Sequence, residues 1–274
     1  MGTRRRRRHN TASVIFIVLY LVCIFLPLSM VFVWSFTDLW PWPNILPQEF
    51  SLRAYERIFS VRSGFFSTLL LTITIGIATS LLTVLVATMA ARTLVHHAFR
   101  GREAFRFGTI LPFLVPQTVF AMGIQVLFFK IGLANTVLGV VIAHSVVALP
   151  YAVSIMVDVT AAAGTHLEEQ ARALGATNLR MFRFVTMPAL LPGILSAAVM
   201  SYIISIGNYF VTLLIGGGKV STVMLTMFPF LTSDDRAISG VYVVSFLVLS
   251  LVVFLIFELI LSRLGVREQK SLFT

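Results

Sequence analysis

Residues 165–193 read THLEEQARALGATNLRMFRFVTMPALLPG and lie between two long apolar runs. Thr165 followed three residues later by Glu168 fits a capping box, in which each side chain satisfies a free backbone amide. Apolar side chains then recur on one helical face, at Leu167, Ala171 and Leu174. Gly175 predicts the helix end, because glycine adopts the left-handed conformation without steric cost. A second helix, ending before Pro188, is predicted by the stripe Leu179, Phe182 and Val185.

The composition around this stretch is that of a membrane protein. Of 274 residues, 58% are hydrophobic and 12% are charged, whereas soluble domains carry roughly 25% charged residues. A helix needs ~20 residues to cross a ~30 Å hydrocarbon core. Six apolar runs are long enough, at about 13–35, 65–91, 107–129, 136–157, 190–214 and 239–261. We therefore predict an all-α polytopic membrane protein with six transmembrane helices, a membrane domain over 13–264, and tails at 1–12 and 265–274.

The distribution of basic residues predicts the orientation. With a cytoplasmic N-terminus, fifteen of the 21 Lys and Arg residues fall on inner segments and six on outer ones, as the positive-inside rule requires. Both termini and the connection 158–187 then face the cytoplasm. The same rule accounts for the net charge of +10, so we expect membrane lipid as a partner and no nucleic acid.

The connection 158–187 and its return to the membrane resemble the EAA signature of binding-protein-dependent ABC importer permeases. The matching positions are Glu169, Gln170, Ala171, Gly175, Val185, Met187 and Pro188. Gln170 replaces the first alanine, and the spacing is kept throughout. The resemblance implies a coupling helix that docks on an ATP-hydrolysing subunit, with Gly175 permitting the turn and Pro188 starting the return. The interface that it implies comprises Glu168, Glu169, Gln170, Ala171, Leu174, Gly175 and Pro188.

The resemblance also implies what other subunits supply. The chain contains no Walker A sequence of the form G-x-x-x-x-G-K-[ST], so ATP and Mg²⁺ are expected on a separate ATPase dimer. We expect no cofactor and no covalent catalysis in this chain, and its single cysteine, Cys23, predicts no metal site. A second permease subunit and an extracytoplasmic solute-binding protein complete the expected importer, in a bacterial cytoplasmic (inner) membrane.

Further segments are similar to the spermidine/putrescine-type permease group. Among them are FSLRAYERIF (50–59), PFLVPQTVFAMG (112–123) and NYFVTLLIGGG (208–218). This similarity suggests a polyamine or a related small polar solute, with phosphonate, iron, thiamine, sulfate or sugar as alternatives. Gly207 and Asn208 stand where polyamine permeases carry acidic residues, which disfavours a cation because burying an unpaired cation in a membrane is costly.

Polar residues within the apolar runs are the candidates for the solute path. In the fifth run, Ser201, Ser205, Asn208 and Thr212 recur at the spacing of one helical face. The predicted path comprises Gln117, His144, Ser201, Ser205, Asn208 and Tyr209. Hydrogen bonding between helices is the alternative explanation, and it suits His144 better than a role as solute ligand. A self-contained secondary transporter or channel is the rival class, but the first five runs hold no Asp or Glu at their centres.

Overall fold

The computed structural model describes residues 11–38, 40, 47–233 and 235–263. Within these ranges the chain forms twelve α-helices: α1 Thr11–Ser35, α2 Arg53–Phe59, α3 Phe65–His96, α4 Arg102–Leu114, α5 Gln117–Ile131, α6 Val137–Ala163, α7 His166–Ala173, α8 Asn178–Met181, α9 Met187–Ile206, α10 Tyr209–Gly216, α11 Val223–Leu231 and α12 Arg236–Arg263. A π-helical turn at Phe182–Thr186 joins α8 to α9. Apart from residues 11 and 12, which begin α1, the two predicted tails lie outside the described residues.

The long helices confirm the prediction of an all-α protein with several membrane spans. Five of the described helical segments are long and apolar enough to cross a membrane, and a sixth span results if the bent pair α4–α5 counts as one. The five are Val14–Ser35, Phe65–His96, Val137–Ala163, Asn178–Ile206 and Arg236–Ile260.

The third predicted run is a broken pair of helices. α4 ends at Leu114, α5 begins at Gln117, and the two are bent by 107°. Pro116 disfavours helical backbone at the residue before it, and Val115 is accordingly extended, with φ −90° and ψ 130°. The break therefore falls at Pro116, within the predicted run 107–129.

The fifth predicted run is continuous with the helix before it and breaks at Gly207–Asn208. Its helical span begins at Asn178 and continues through Pro188 to Ile206. A proline ring clashes with the carbonyl four residues earlier, and the π turn just before Pro188 accommodates that ring by widening the helix. The span ends at Ile206, and Asn208 caps the separate helix α10. The helix end predicted before Pro188 and the unbroken fifth helix are both wrong.

The described chain divides into two compact units. One comprises the described residues up to Ser63 with Pro229–Ser245, and the other comprises Gly64–Phe228 with the described residues from Phe246 onward. In the second unit α3, α6 and α9 form the core. A Cβ on Gly76 of α3 would lie 2.6 Å from the ring of Tyr202 in α9. Small residues thus allow close helix approach, as is common in membrane bundles.

The first unit is held together by polar contacts around α2. Arg53 donates to Asp38 at 2.6 Å and to Asp235 at 3.3 Å. The hydroxyl of Tyr55 donates to Ser35 Oγ at 2.9 Å. The backbone of Ser35 lies against Gly240 of α12, where a Cβ would be 2.7 Å from the Ser35 amide nitrogen. These contacts join the end of α1 to α2 and to the start of α12.

Candidate functional site

α7 is a short helix outside the spans, and its end depends on a glycine. Gly175 follows the helix with φ +82°. The amide of Ala176 donates to the carbonyl of Ala171, and that of Gly175 to the carbonyl of Arg172, both at 2.9 Å. These two bonds form a Schellman motif, which uses the left-handed conformation that glycine supplies. The prediction that Gly175 ends the helix is confirmed.

The start of α7 differs from the predicted capping box. Thr165 makes no side-chain cap bond, and its hydroxyl donates instead to the carboxylate of Glu169 at 2.7 Å. Glu168 accepts two hydrogen bonds from Arg92 of α3, at 2.8 and 3.2 Å, and a third from the hydroxyl of Thr186 at 2.6 Å. Two charge-assisted bonds from one guanidinium are stronger than a neutral cap. The capping-box prediction is therefore wrong, because the ion pair occupies the glutamate.

This ion pair connects α7 to two membrane spans. The side chains of Glu168 and Arg92 are only 12% and 25% exposed. The hydrogen bond from Arg92 lowers the pKa of the Glu168 carboxyl, against the opposing effect of partial burial. Arg92 belongs to α3, and Thr186 belongs to the π turn that leads into α9. The Glu168 carboxylate thus links α7 to α3 and to the start of α9.

Two leucines on α7 and at its C-terminal end are exposed. Leu167 of α7 is 54% exposed, and Leu174, which follows the helix, is 89% exposed. Glu169 and Gln170 beside them are also exposed. Large apolar side chains exposed outside the membrane spans favour a surface that contacts another molecule. Among the predicted interface residues Glu168 contacts the chain's own helices, while Glu169, Gln170, Leu174, Gly175 and Pro188 are exposed.

The second halves of the two broken predicted runs, α5 and α10, contact each other through hydrogen bonds. Nε2 of Gln117, the first residue of α5, donates to Oδ1 of Asn208 at 2.9 Å. The same Oδ1 accepts from the amide of Val211 at 3.3 Å and so caps α10. Further along both helices, Nε2 of Gln125 donates to the carbonyl of Leu214 at 2.8 Å. The start of α5 contacts the start of α10, and a later residue of α5 contacts a later residue of α10. The two helices therefore run parallel, with their N-termini at one level.

A buried histidine continues this contact into α6. His144 is 0% exposed, with Nδ1 2.9 Å from Ser205 Oγ and Nε2 3.0 Å from Thr212 Oγ1. Thr212 donates its own proton to the carbonyl of Asn208 at 2.6 Å. Its oxygen can therefore accept from Nε2 of the histidine. The Ser205 hydroxyl lies within hydrogen-bond distance of both Nδ1 and Thr79 Oγ1 of α3, the latter at 3.4 Å. We call Gln117, His144, Ser205, Asn208 and Thr212 the polar network.

Both α7 and the polar network fall within a recognised family region. Residues 83–266, about two thirds of the chain, match the family described as binding-protein-dependent transport system inner membrane component. The chain belongs to this family. It is a multi-pass inner-membrane protein and a permease subunit of an ABC importer.

Relatives of this permease cover most of its length. The putative 2-aminoethylphosphonate transport system permease protein PhnV of Salmonella typhimurium is 27% identical over 93% of this chain and 95% of that protein. The spermidine/putrescine transport system permease protein PotC of Haemophilus influenzae is 24% identical over 78% and 83%. The sulfate transport system permease protein CysT of Salmonella typhimurium is 27% identical over 65% and 70%.

The fold of the permease is that of a solved importer. A crystal structure of a bacterial ABC transporter involved in the import of the acidic polysaccharide alginate contains a chain with a TM-score of 0.70 and 18% identity. The similarity covers 94% of this permease and 98% of that chain. It shows that the two share a fold.

Four of the six predicted path residues lie together in the polar network, and two do not. Gln117, His144, Ser205 and Asn208 come together in the polar network, whereas Ser201 donates to Ala197 of its own helix at 2.7 Å. Tyr209 stacks on Phe228 with ring centroids 4.0 Å apart. The stripe is not one helical face, because α9 ends between Ser205 and Asn208. The break itself brings Ser205 and Thr212 to the two nitrogens of one histidine.

Sequence reasoning missed the two residues that anchor α7. Arg92 precedes its partner Glu168 by 76 positions, and Thr186 follows it by 18. A single arginine at the end of an apolar run gives no sign of which acid it pairs with. Within the residues that the structure describes, no three His, Cys, Asp or Glu side chains group as metal ligands.

Proposed function

We propose that this permease forms a pore with a second, homologous permease subunit, driven by an ATPase dimer and supplied by an extracytoplasmic binding protein. Membership of a binding-protein-dependent transport family supports this assembly. The excess of Lys and Arg on one set of connections favours a cytoplasmic location for α7 and both chain ends. ATP and Mg²⁺ bind to the ATPase, and this chain carries no cofactor.

The anchored, uncovered helix α7 is the observation that carries the proposal. Leu167 and Leu174 are exposed outside the spans, while Glu168 ties the helix to α3 and to the start of α9. A helix held in this way can pass the displacement of a partner to two spans as a rigid-body movement. We infer that an ATPase subunit covers the exposed leucines and the adjacent Glu169.

The polar network is the proposed solute path. Irregular backbone at membrane depth is tolerated where it is buried in protein or lines a cavity, and broken helices commonly form the binding sites of transporters. The 20 residues of α9 extend roughly 30 Å, so the network lies far from α7, toward the proposed outer side. Closure of the ATPases beneath the membrane then opens this path outward in an alternating-access cycle.

The proposed solute is small and polar. Relatives named for phosphonate, spermidine/putrescine and sulfate transport leave its class open. The polyamine suggested by the subgroup resemblance would be expected to meet carboxylates in the path. α5, α9 and α10 contain no Asp or Glu, which favours a neutral or anionic solute over a polyamine.

Glu169→Lys tests the coupling role. In proteoliposomes that hold the assembled importer and its binding protein, ATP-driven uptake should fall about tenfold or more, because a misplaced charge at a protein interface costs several kcal/mol by order of magnitude. The variant should still insert into the membrane. Glu56→Lys, the same charge reversal on the exposed side of α2, is the control and should transport normally. Normal uptake by Glu169→Lys would contradict the coupling role.

Asn208→Leu tests the solute path. Uptake per molecule should fall, or the ligand preference should change, while the ATPase subunits still assemble. Gln125→Leu is the matched control, because its amide only bonds a neighbouring helix, an interaction that contributes about 0.6 kcal/mol in membrane bundles. The control should lower yield and leave uptake per molecule unchanged. If Asn208→Leu also lowers only the yield and leaves uptake per molecule unchanged, Asn208 does not line the solute path.

A further inference from the structure

We propose that the starts of α5 and α10 together bind an oxyanion group of the transported solute, such as a phosphonate, sulfate or carboxylate. This inference rests on the proposed function, because it assigns a chemical class to the solute of the proposed path. The site consists of the first turns of both helices and the side chain of Asn208 between them. We call it the paired-start site.

Both helices offer backbone donors at the same level. The first amides of a helix have no acceptor within the helix. In α5 the amide of Phe120 is bonded to the carbonyl of Pro116, and the amides before it have no such acceptor. In α10 Asn208 caps the amide of Val211, and the two preceding amides have no acceptor within the helix. Because the helices are parallel, their positive dipole ends coincide, and such ends bind anions.

The side chain of Asn208 provides an independent sign of a ligand. The amide of Val211 can only donate, so the atom that faces it must be the carboxamide oxygen. The same oxygen accepts from Gln117, which places the carboxamide between the two helix starts. Its Nδ2 is buried, in a residue that is 4% exposed, and no acceptor among the described residues reaches it. A buried donor without an acceptor is unfavourable, and an oxygen of a bound solute supplies the missing acceptor.

The charges near the site suit an anion. Neither α5, α9 nor α10 contains an acidic residue, and the one acid of α6, Asp158, follows His144 by fourteen residues, roughly 21 Å along the helix. A cation would meet two positive helix ends and no carboxylate. Gln117 and Gly207, which border the site, are exposed.

A cysteine at position 207 can report on the site. Gly207 has φ −83°, and the nearest atom to a Cβ there is the Ile203 carbonyl oxygen at 3.5 Å, so Gly207→Cys is accommodated without strain. The variant is made with Cys23→Ser, which removes the chain's one cysteine, and the assembled transporter is placed in phosphatidylcholine vesicles. Its reaction rates with a sulfonate-bearing and a trimethylammonium-bearing methanethiosulfonate are each divided by the rate with free cysteine. Gly123→Cys, in the middle of α5 with no atom within 4 Å of its Cβ, is the matched control.

The sulfonate reagent should react about fivefold faster than the cationic reagent at Gly207→Cys, which corresponds to about 1 kcal/mol of charge–dipole interaction. Inorganic sulfate should slow both reactions, and spermidine should not. Gly123→Cys should show neither effect. Asn208→Asp keeps the helix cap but replaces the Nδ2 donor by a charged oxygen. In Gly207→Cys combined with Asn208→Asp, the cationic reagent should react faster than the sulfonate reagent, and sulfate should no longer slow the reaction.

Three results would overturn the inference. Equal rates for the two reagents without protection by sulfate would exclude an oxyanion site and leave the solute path standing, because the position is accessible. No reaction at Gly207→Cys with either reagent would contradict the path and the oxyanion site together. Protection by phosphatidylglycerol added to the vesicles, without protection by sulfate, would assign the site to a lipid headgroup.

Discussion

Replacing Glu168 by glutamine tests how firmly α7 is held to the membrane helices. The carboxylate accepts bonds of 2.8 and 3.2 Å from Arg92 and one of 2.6 Å from Thr186. Glutamine keeps an oxygen for one donor but loses the charge. Because the paired side chains are 12% and 25% exposed, water replaces the lost interaction only in part.

The expected loss is a moderate fraction of the stability of this segment. Hydrogen bonds to charged groups contribute about 1.5–3 kcal/mol, and partial exposure reduces this value. We expect the free energy of local opening of α7 to fall by about 1.5 kcal/mol, which speeds its amide hydrogen exchange roughly tenfold. Mass spectrometry of the peptide that covers α7, in the reconstituted importer, measures this change.

A double-mutant cycle separates the ion pair from other effects. Arg92→Gln should speed exchange as Glu168→Gln does, and the double variant should exchange no faster than the faster single variant, because either change breaks the same pair. Glu56→Gln, at an exposed position of α2, is the control and should leave the exchange of α7 at nearly the normal rate. A normal rate in Glu168→Gln, or additive effects in the double variant, would refute the anchoring role.

The anchor also predicts a dependence on pH. Arg92 lowers the pKa of Glu168 in the folded chain, so the folded state binds the proton less readily than the unfolded state does. The contribution of the pair is therefore complete above the ordinary glutamate pKa and is lost as the pH falls through the lowered value. After correction for intrinsic exchange rates, the amide exchange of α7 in the unmodified chain should approach that in Glu168→Gln as the pH is lowered. A constant difference between them would contradict this assignment.

The remaining predictions concern the turn, the helix packing and the orientation. Gly175→Ala should lower uptake per ATP hydrolysed without reducing insertion, since φ +82° costs a residue with a Cβ about 1–2 kcal/mol; an unchanged ratio would show that the turn tolerates a side chain. Gly76→Ala places a Cβ 2.6 Å from the Tyr202 ring and should destabilise the chain by about 1–3 kcal/mol, measured as a lower thermal midpoint in detergent. Cysteine at Ser233 should react with an impermeant thiol reagent from outside and cysteine at Thr177 only from inside, and the opposite pattern would reverse the orientation.

The membrane spans and the end of α7 could be predicted from the sequence. The apolar runs predicted the spans because crossing a hydrocarbon core depends on the length and the average hydropathy of a segment. Gly175 predicted the end of α7 because a left-handed residue after a helix is most often glycine. Both features are local, so no knowledge of distant partners was needed.

Features that depend on distant partners were predicted less well. The capping box failed because Glu168 pairs with Arg92, 76 positions away. The helix through Pro188 was missed because a π turn accommodates the proline. The break at Asn208 was hidden by the helical spacing of the polar stripe. The roles of α7 and of the polar network remain predictions, because they depend on partner subunits and a solute outside this chain.

A photo-crosslinking amino acid at Leu174 tests most directly whether α7 contacts an ATPase subunit. Leu174 is 89% exposed, and Val61, which is 94% exposed in the other unit, is the control position. In an assembled importer that hydrolyses ATP, position 174 should give a covalent product with the ATPase, and position 61 should give none. An importer in which position 174 yields no ATPase product, or no more than position 61, would contradict the assignment of α7 as the coupling helix.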